Sequence, residues 1–232
     1  MKKILAFVLV LLMLAACAVA EDAQPVMTHA EYVAADLESE VTVETYVQDK
    51  QGWWQDQAII YCQSEDGAYF LYNMPISKED YDKLVPGTKI RVNGYKSEWA
   101  GEVEIVDATF EIIEGEAFIA EPTDATAALG KSYLVAHQNE LVVLKGLTVK
   151  DYGDGNPFAY KDPAGKTDDI YIKFEKDGVE YEFVVEYYLR NNETEVYKAV
   201  EALQIGDVVD VEGFLYWYNG ANMHITGVAK AE

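Results

Sequence analysis

Residues 84–106, LVPGTKIRVNGYKSEWAGEVEIV, and residues 203–225, LQIGDVVDVEGFLYWYNGANMHI, carry one pattern twice. Leu84, Gly87, Val92, Gly94 and Gly101 fall on Leu203, Gly206, Val211, Gly213 and Gly220, each 119 positions later without a gap. A pattern repeated this way means two units of one architecture. Upstream, Val41, Val43 and Val47 match Leu141, Val143 and Leu147 at an offset of 100, so the second unit holds 19 extra residues. Much of the excess falls in DYGDGNPFAYKDPAGKTDD (151–169), whose Gly, Pro and Asp density reads as a long loop. The first unit has only QDKQGWWQD (48–56) in that place.

Alternation of apolar and polar residues, rich in Val, Ile, Tyr and Phe, predicts strands near 41–47, 57–63, 68–74, 88–96 and 102–110. The second unit repeats them near 140–149, 169–175, 179–188, 207–217 and 222–228. Asp66-Gly67 and Asp177-Gly178 read as hairpin turns. Ser77 caps a short helix that Pro86 and Gly87 stop, and a second helix covers 193–203. Gly87 and Gly206 fit left-handed caps, Gly94 and Gly213 fit bends within a strand, and Gly101 and Gly220 fit the following turn.

This order, with the stretch L-x-x-G-x-x-[IV]-x-V-x-G, resembles the OB-fold across 37–116 and 136–232. The resemblance implies a mainly β chain of two tandem five-stranded OB-fold Greek-key barrels, each with a short helix between strands 3 and 4. The division is then a signal peptide (1–20), an N-terminal tail and short helix (21–36), barrel one (37–116), a linker (117–135) and barrel two (136–232). With its export signal the chain is similar to uncharacterised envelope proteins of bacteria.

That signal is Lys2 and Lys3 followed by an apolar run from Ile4 to Ala16. LAAC (14–17) resembles a lipoprotein box in which Cys17 carries the lipid, while AVA (18–20) fits ordinary cleavage before Glu21. Either reading places the protein outside the cytoplasm, as a membrane-anchored lipoprotein or a secreted one. The only membrane contact expected is through a lipid on Cys17. The chain has 18 Lys+Arg against 41 Asp+Glu, a net charge of −23, and half its residues are apolar, so it folds. Such an acid field repels phosphate backbones, and nucleic acid is not expected as a partner. Cys62 lies in an apolar run, where a buried thiol and no disulfide are expected.

OB-folds bind ligands on strands 2 and 3, between the strand 1–2 and strand 4–5 loops. Those loops carry Trp53, Trp54 and Trp99 in the first unit. In the second they carry Tyr152, Phe158 and Tyr160, then Tyr216, Trp217 and Tyr218. The candidate ligand-binding residues are therefore Trp53, Trp54, Trp99, Tyr152, Tyr160, Tyr216, Trp217 and Tyr218, with Gln51, Gln55, Asn219 and Asn222 as polar neighbours. The rings either stack on sugars, bases or peptide side chains, or cover the barrel ends and pack the barrels together. Tyr69 and Leu71 share one side of their strand, and Phe70 and Tyr72 the other.

His29, His137 and His224 are scattered, and no nucleophile motif, H-E-x-x-H or phosphate loop is present. No catalytic residue, cofactor or metal site is assigned, and His224 reads as a surface or barrel-wall residue. Asp151, Asp154, Asn156, Asp162, Asp168 and Asp169 offer oxygens for calcium or simply make a turn-rich loop, with no EF-hand spacing. The expected function is a non-enzymatic extracytoplasmic binding or adaptor module for an oligosaccharide, peptide or envelope protein. One alternative is an OB-fold nucleic-acid-binding protein using Lys83, Lys89, Arg91 and Lys96. Another is a structural envelope lipoprotein whose aromatics are buried between barrels.

Overall fold

A computed structural model describes residues 25–162 and 167–231; the signal-peptide reading and Cys17 lie outside the described residues. The first described helix, α1 (His29–Ala34), begins at a capping box in which Thr28 and Glu31 satisfy each other's backbone N–H. It places Tyr32 in the first core. Barrel one follows as β1 (Glu40–Lys50), β2 (Gln57–Ser64), β3 (Gly67–Pro75), α2 (Lys78–Lys83), β4 (Lys89–Trp99) and β5 (Glu102–Ile112). Its order is β1-β2-β3-β5-β4, and antiparallel pairing of β4 with β1 closes it. Ser77 caps α2 as expected, its hydroxyl accepting the Asp80 N–H at 3.1 Å.

The second unit contains β6 (Thr123–Asp124), β7 (Leu141–Val149), β8 (Phe158–Tyr160), β9 (Ile170–Lys176), β10 (Val179–Val185), α3 (Glu195–Glu201), β11 (Val208–Phe214) and β12 (His224–Lys230). Here β7, β11, β12, β10 and β9 close through pairing of β7 with β9, while β6 and β8 are additions. α2 and α3 each stand between the third and fourth barrel strands, so two tandem five-stranded barrels are present. The 19 extra residues thus go partly into β8, which continues the sheet beside β9 where β7 departs. Residues 123–137, divided by sequence between linker and barrel two, fold against the latter. β6 pairs with β7, and Ala125, Ala128, Leu129 and Leu134 enter the second core.

Each barrel has its own core. Val43, Ile60, Leu71, Ile90, Val92 and Ile105 fill the first, and Leu144, Leu147, Ile172, Phe174, Phe183 and Val211 the second. Each such side chain contributes about 1.5–3 kcal/mol. Cys62 lies in the first core as a free thiol, and burial pushes its ionisation up. The first hairpin turns on Glu65–Asp66, one residue before the expected position, because Ser64 pairs with Gly67.

Gly94 and Gly213 sit beside bulges at which β4 and β11 bend to serve both sides of their barrels. A Cβ at Gly213 would lie 2.2 Å from the His224 carbonyl oxygen, and at Gly94 2.8 Å from the Val106 carbonyl oxygen. Backbone cannot move aside as a side chain can. Gly213→Ala is therefore expected to cost about 1–3 kcal/mol in urea unfolding. An unchanged midpoint would show that the bulge is not needed for closure.

Candidate functional site

The face that OB-folds commonly present to ligands is filled in barrel one. Tyr61 and Phe70 leave β2 and β3 on the outer side and are buried with Phe214 and Leu189 of the second unit. The Tyr61 ring stacks on Phe214 at 4.4 Å, and Phe70 meets Tyr216 edge-on at 5.2 Å. Gln51 donates to the Tyr61 hydroxyl at 3.1 Å, and that hydroxyl lies 2.6 Å from His224 Nδ1. With Gln51 donating to the phenol oxygen, the Tyr61 O–H is free to donate to Nδ1, and Nε2 lies 3.8 Å from Glu186. His224 is thus an interface residue and not the surface or wall residue expected. Burial pulls its pKa down to about 3.

The contact continues on both sides. Trp217 and Gln138 donate to Glu102 at 2.8 and 3.1 Å, Leu141 donates to Gln63 at 2.8 Å, and Arg190 pairs with Asp49. Backbone bonds join Gly52 to Tyr188 and Asn219 to Ala100 at 2.7 Å each.

This wedge divides the eight aromatic candidates instead of gathering them in one groove. Trp53 is half-buried on the first core and donates its indole N–H to Ile76, which is a structural task. Trp54, 57% exposed, lines a surface hollow with Gln51 and Tyr188. Tyr216 stacks on His224 at 4.3 Å, and Trp217 packs on the second core and over Gly101. Tyr160 bonds Glu201, and Tyr218 is 56% exposed. Trp99 and Tyr152 belong to two separate places: Trp99 stands at the edge of the inter-barrel contact beside Tyr72 and Tyr216, and Tyr152 on barrel two.

The corresponding outer side of barrel two is built differently. Ile170, Ile172 and Phe174 point into the core, so Tyr171, Lys173 and Glu175 point out of β9. Val149 pairs with Phe174, and this register sets Lys150 opposite Lys173 on the outer side. Lys173 places its ammonium 4.9 Å from the Tyr152 ring centroid. Burial, with the Glu182 carboxylate across on β10 as the second cause, raises the Tyr152 phenol to about 12. Lys150 reaches Glu175 only at 3.9 Å, and Lys161 pairs with Asp169 at 3.0 Å. Like charges directly opposite one another destabilise a sheet pair. Lys173 is thus faced by Lys150 on one side and by Glu182 on the other, with Tyr152 and Tyr171 beside it.

Sequence reasoning missed Lys150, Tyr171 and Lys173. The signal was present in the alternation of IYIKFEK, but the pairing partner of Lys173 lies before the long loop. The basic group Lys83, Lys89, Arg91 and Lys96 is committed elsewhere. Lys83 pairs with Glu79 and Asp80, Lys89 and Arg91 hold Glu44, and Lys96 donates to the carbonyls of Val33 and Ala35. In the 151–169 loop the Asp151 carboxylate accepts the N–H groups of Gly153 and Gly155. Among the described residues no group of three His, Cys, Asp or Glu could hold a metal.

No family model and no curated protein matches the chain. Solved structures resemble it at low identity. A murine DNA-binding protein bound with double-stranded DNA shares 13% identity, covering 82% of this chain and 96% of that one, with a TM-score of 0.35. The p204 HINb domain shares 12%, covering 84% and 100%, at 0.37. A replication protein A heterotrimer bound to single-stranded DNA shares 10%, covering 82% of this chain and 49% of that one, at 0.30. Two of these three are bound to DNA, against the expectation above that nucleic acid is not a partner. Net charge sums a whole surface, whereas a ligand meets one face. Lys150, Lys161 and Lys173 lie on one such face, interleaved with Glu175, Glu182 and Asp169.

Proposed function

We propose that this protein is a non-enzymatic binding module that takes single-stranded nucleic acid across the outer side of β8, β9 and β10. The observation that carries this reading is the Lys150–Lys173 pair beside Tyr152 and Tyr171, on the part of barrel two away from the β11–β12 contact with barrel one. Lysines would meet phosphates, and the two tyrosines would stack on bases, which only an unpaired strand presents. Glu175, Glu180 and Glu182 on the same sheet keep the phosphate term small. Stacking then supplies most of the affinity, and binding is sequence-tolerant.

The test is anisotropy of a labelled single-stranded oligonucleotide titrated with the full chain at low salt and again at higher salt. Tyr152→Ala is expected to cost about 1–3 kcal/mol of binding. Lys150→Ala with Lys173→Ala is expected to flatten the slope of log K against log salt by about 1.4, the share of two phosphate contacts. Absence of binding at low salt, or equal binding by the double variant, would end this reading.

A further inference from the structure

A second site lies where the barrels meet. Tyr72 of β3, Trp99 at the end of β4 and Tyr216 after β11 wall a cleft of about 370 Å³ that Glu104 of β5 also lines. The register explains the grouping. Ser97 pairs with Glu104 and Trp99 with Glu102, so these side chains leave the barrel on its outer side. The bridge between Leu71 and Ile105 sets Tyr72 alongside. Tyr216 is held by its stacking on His224.

Two features of the cleft point to one ligand chemistry. Trp99 is 64% exposed and Tyr72 41%, a large ring area left in water beside an otherwise closed interface. Glu104 is only 5% exposed, yet among the described residues it has no hydrogen-bond or ion-pair partner. A carboxylate so placed is costly without a counter-charge. Ring faces attract a cation within about 6 Å of their centres, and a methylated ammonium needs no acceptor for N–H groups.

We propose that this cleft binds an organic cation of the quaternary-ammonium class, with Tyr72, Trp99 and Tyr216 as the ring walls and Glu104 as the counter-charge. It is independent of the β8–β10 face. Burial holds the Glu104 carboxyl up at about 7, so cation affinity falls as acidification neutralises it. Its titratable neighbours are Glu102 on the same strand, Tyr32 of α1, Tyr72 on β3 and Tyr216 from the second barrel. Glu102 is already bonded to Trp217 and Gln138, and the Tyr216 phenol is pushed up by burial and by both glutamates.

The test titrates the full chain with choline, followed by tryptophan fluorescence and calorimetry, beside the uncharged isostere in which carbon replaces nitrogen. Choline is expected to bind at least about tenfold more tightly than the isostere, and Trp99→Ala to lose about tenfold. Glu104→Gln is expected to lose a similar factor and to abolish the fall in affinity on acidification. Phosphatidylcholine vesicles run in parallel separate the sources of the group. Co-sedimentation assigns a lipid headgroup, and binding of free choline alone assigns a soluble cation. Equal binding of choline and its isostere, no choline binding, or a Glu104→Gln protein that binds as before would overturn the proposal. Trp99→Ala should leave oligonucleotide binding unchanged, which keeps the two sites separable.

Discussion

Replacing Tyr61 with alanine is expected to lower the unfolding free energy by about 3–5 kcal/mol, the usual cost of deleting a buried aromatic side chain. Tyr61 is one of the largest fully buried side chains, and it reaches out of barrel one into barrel two. Its loss removes the stack on Phe214, opens a cavity between Phe70 and His224, and leaves His224 Nδ1 without its donor. Tyr61→Phe keeps the ring and loses only the hydroxyl, so it should cost about 1–3 kcal/mol. Urea unfolding followed by circular dichroism and by tryptophan fluorescence checks both values. The two probes should coincide in the parent and separate in Tyr61→Ala, because Trp53, Trp54 and Trp99 belong to one barrel and Trp217 follows the fourth strand of the other. Coincident probes with an unchanged midpoint would show that this contact does not couple the barrels.

The same residue marks where reading the chain stops. Strand positions and barrel closure were legible, because period-2 alternation and the glycines at bulges are local consequences of the backbone. Phe70 and Tyr72 were correctly placed opposite Tyr69 and Leu71 for the same reason. What alternation cannot say is what covers an outer face. Tyr61 and Phe70 are outward residues of one barrel that become buried only because Phe214 and Tyr216 of the other arrive, and that docking has no sequence period. Lys150 and Lys173 failed to stand out for a related reason: the long loop separates them, and only the β7–β9 register brings them opposite each other. Glu104 reads as an ordinary outward acid in EVEIV, and nothing in that alternation signals its near-complete burial in a cleft that Tyr216 of the second barrel also lines.

Acidification from about pH 8 is expected to stabilise this protein, against the ordinary behaviour of an acid-rich chain. Glu102 is fully buried, with Oε2 bonded to Trp217 and Gln138 and Oε1 unpartnered, and burial lifts its carboxyl to about 8. Burial also lifts Glu104 to about 7, and Glu186 to about 8 with help from the Asp169 charge. A carboxyl raised in the folded state binds its proton more tightly there than in the unfolded chain, where its value is 4.5. Its contribution is therefore complete below about 4.5 and lost as pH rises through the folded value. At about 1.4 kcal/mol per unit, Glu102 alone accounts for on the order of 5 kcal/mol across that window. His224 acts the other way. Held neutral with its pKa near about 3, it contributes stability above 6.5 that is lost as pH falls. The melting temperature should climb as pH drops from about 8, level off near about 5, and turn down under about 4.5. Glu102→Gln keeps an acceptor for the Trp217 N–H but cannot ionise, so its profile should be flatter and its melting temperature at about pH 8 higher than the parent's. A parent profile that is level between about pH 6 and 8, or a variant that melts lower at the alkaline end, would mean that Glu102 is charged and compensated in the folded protein.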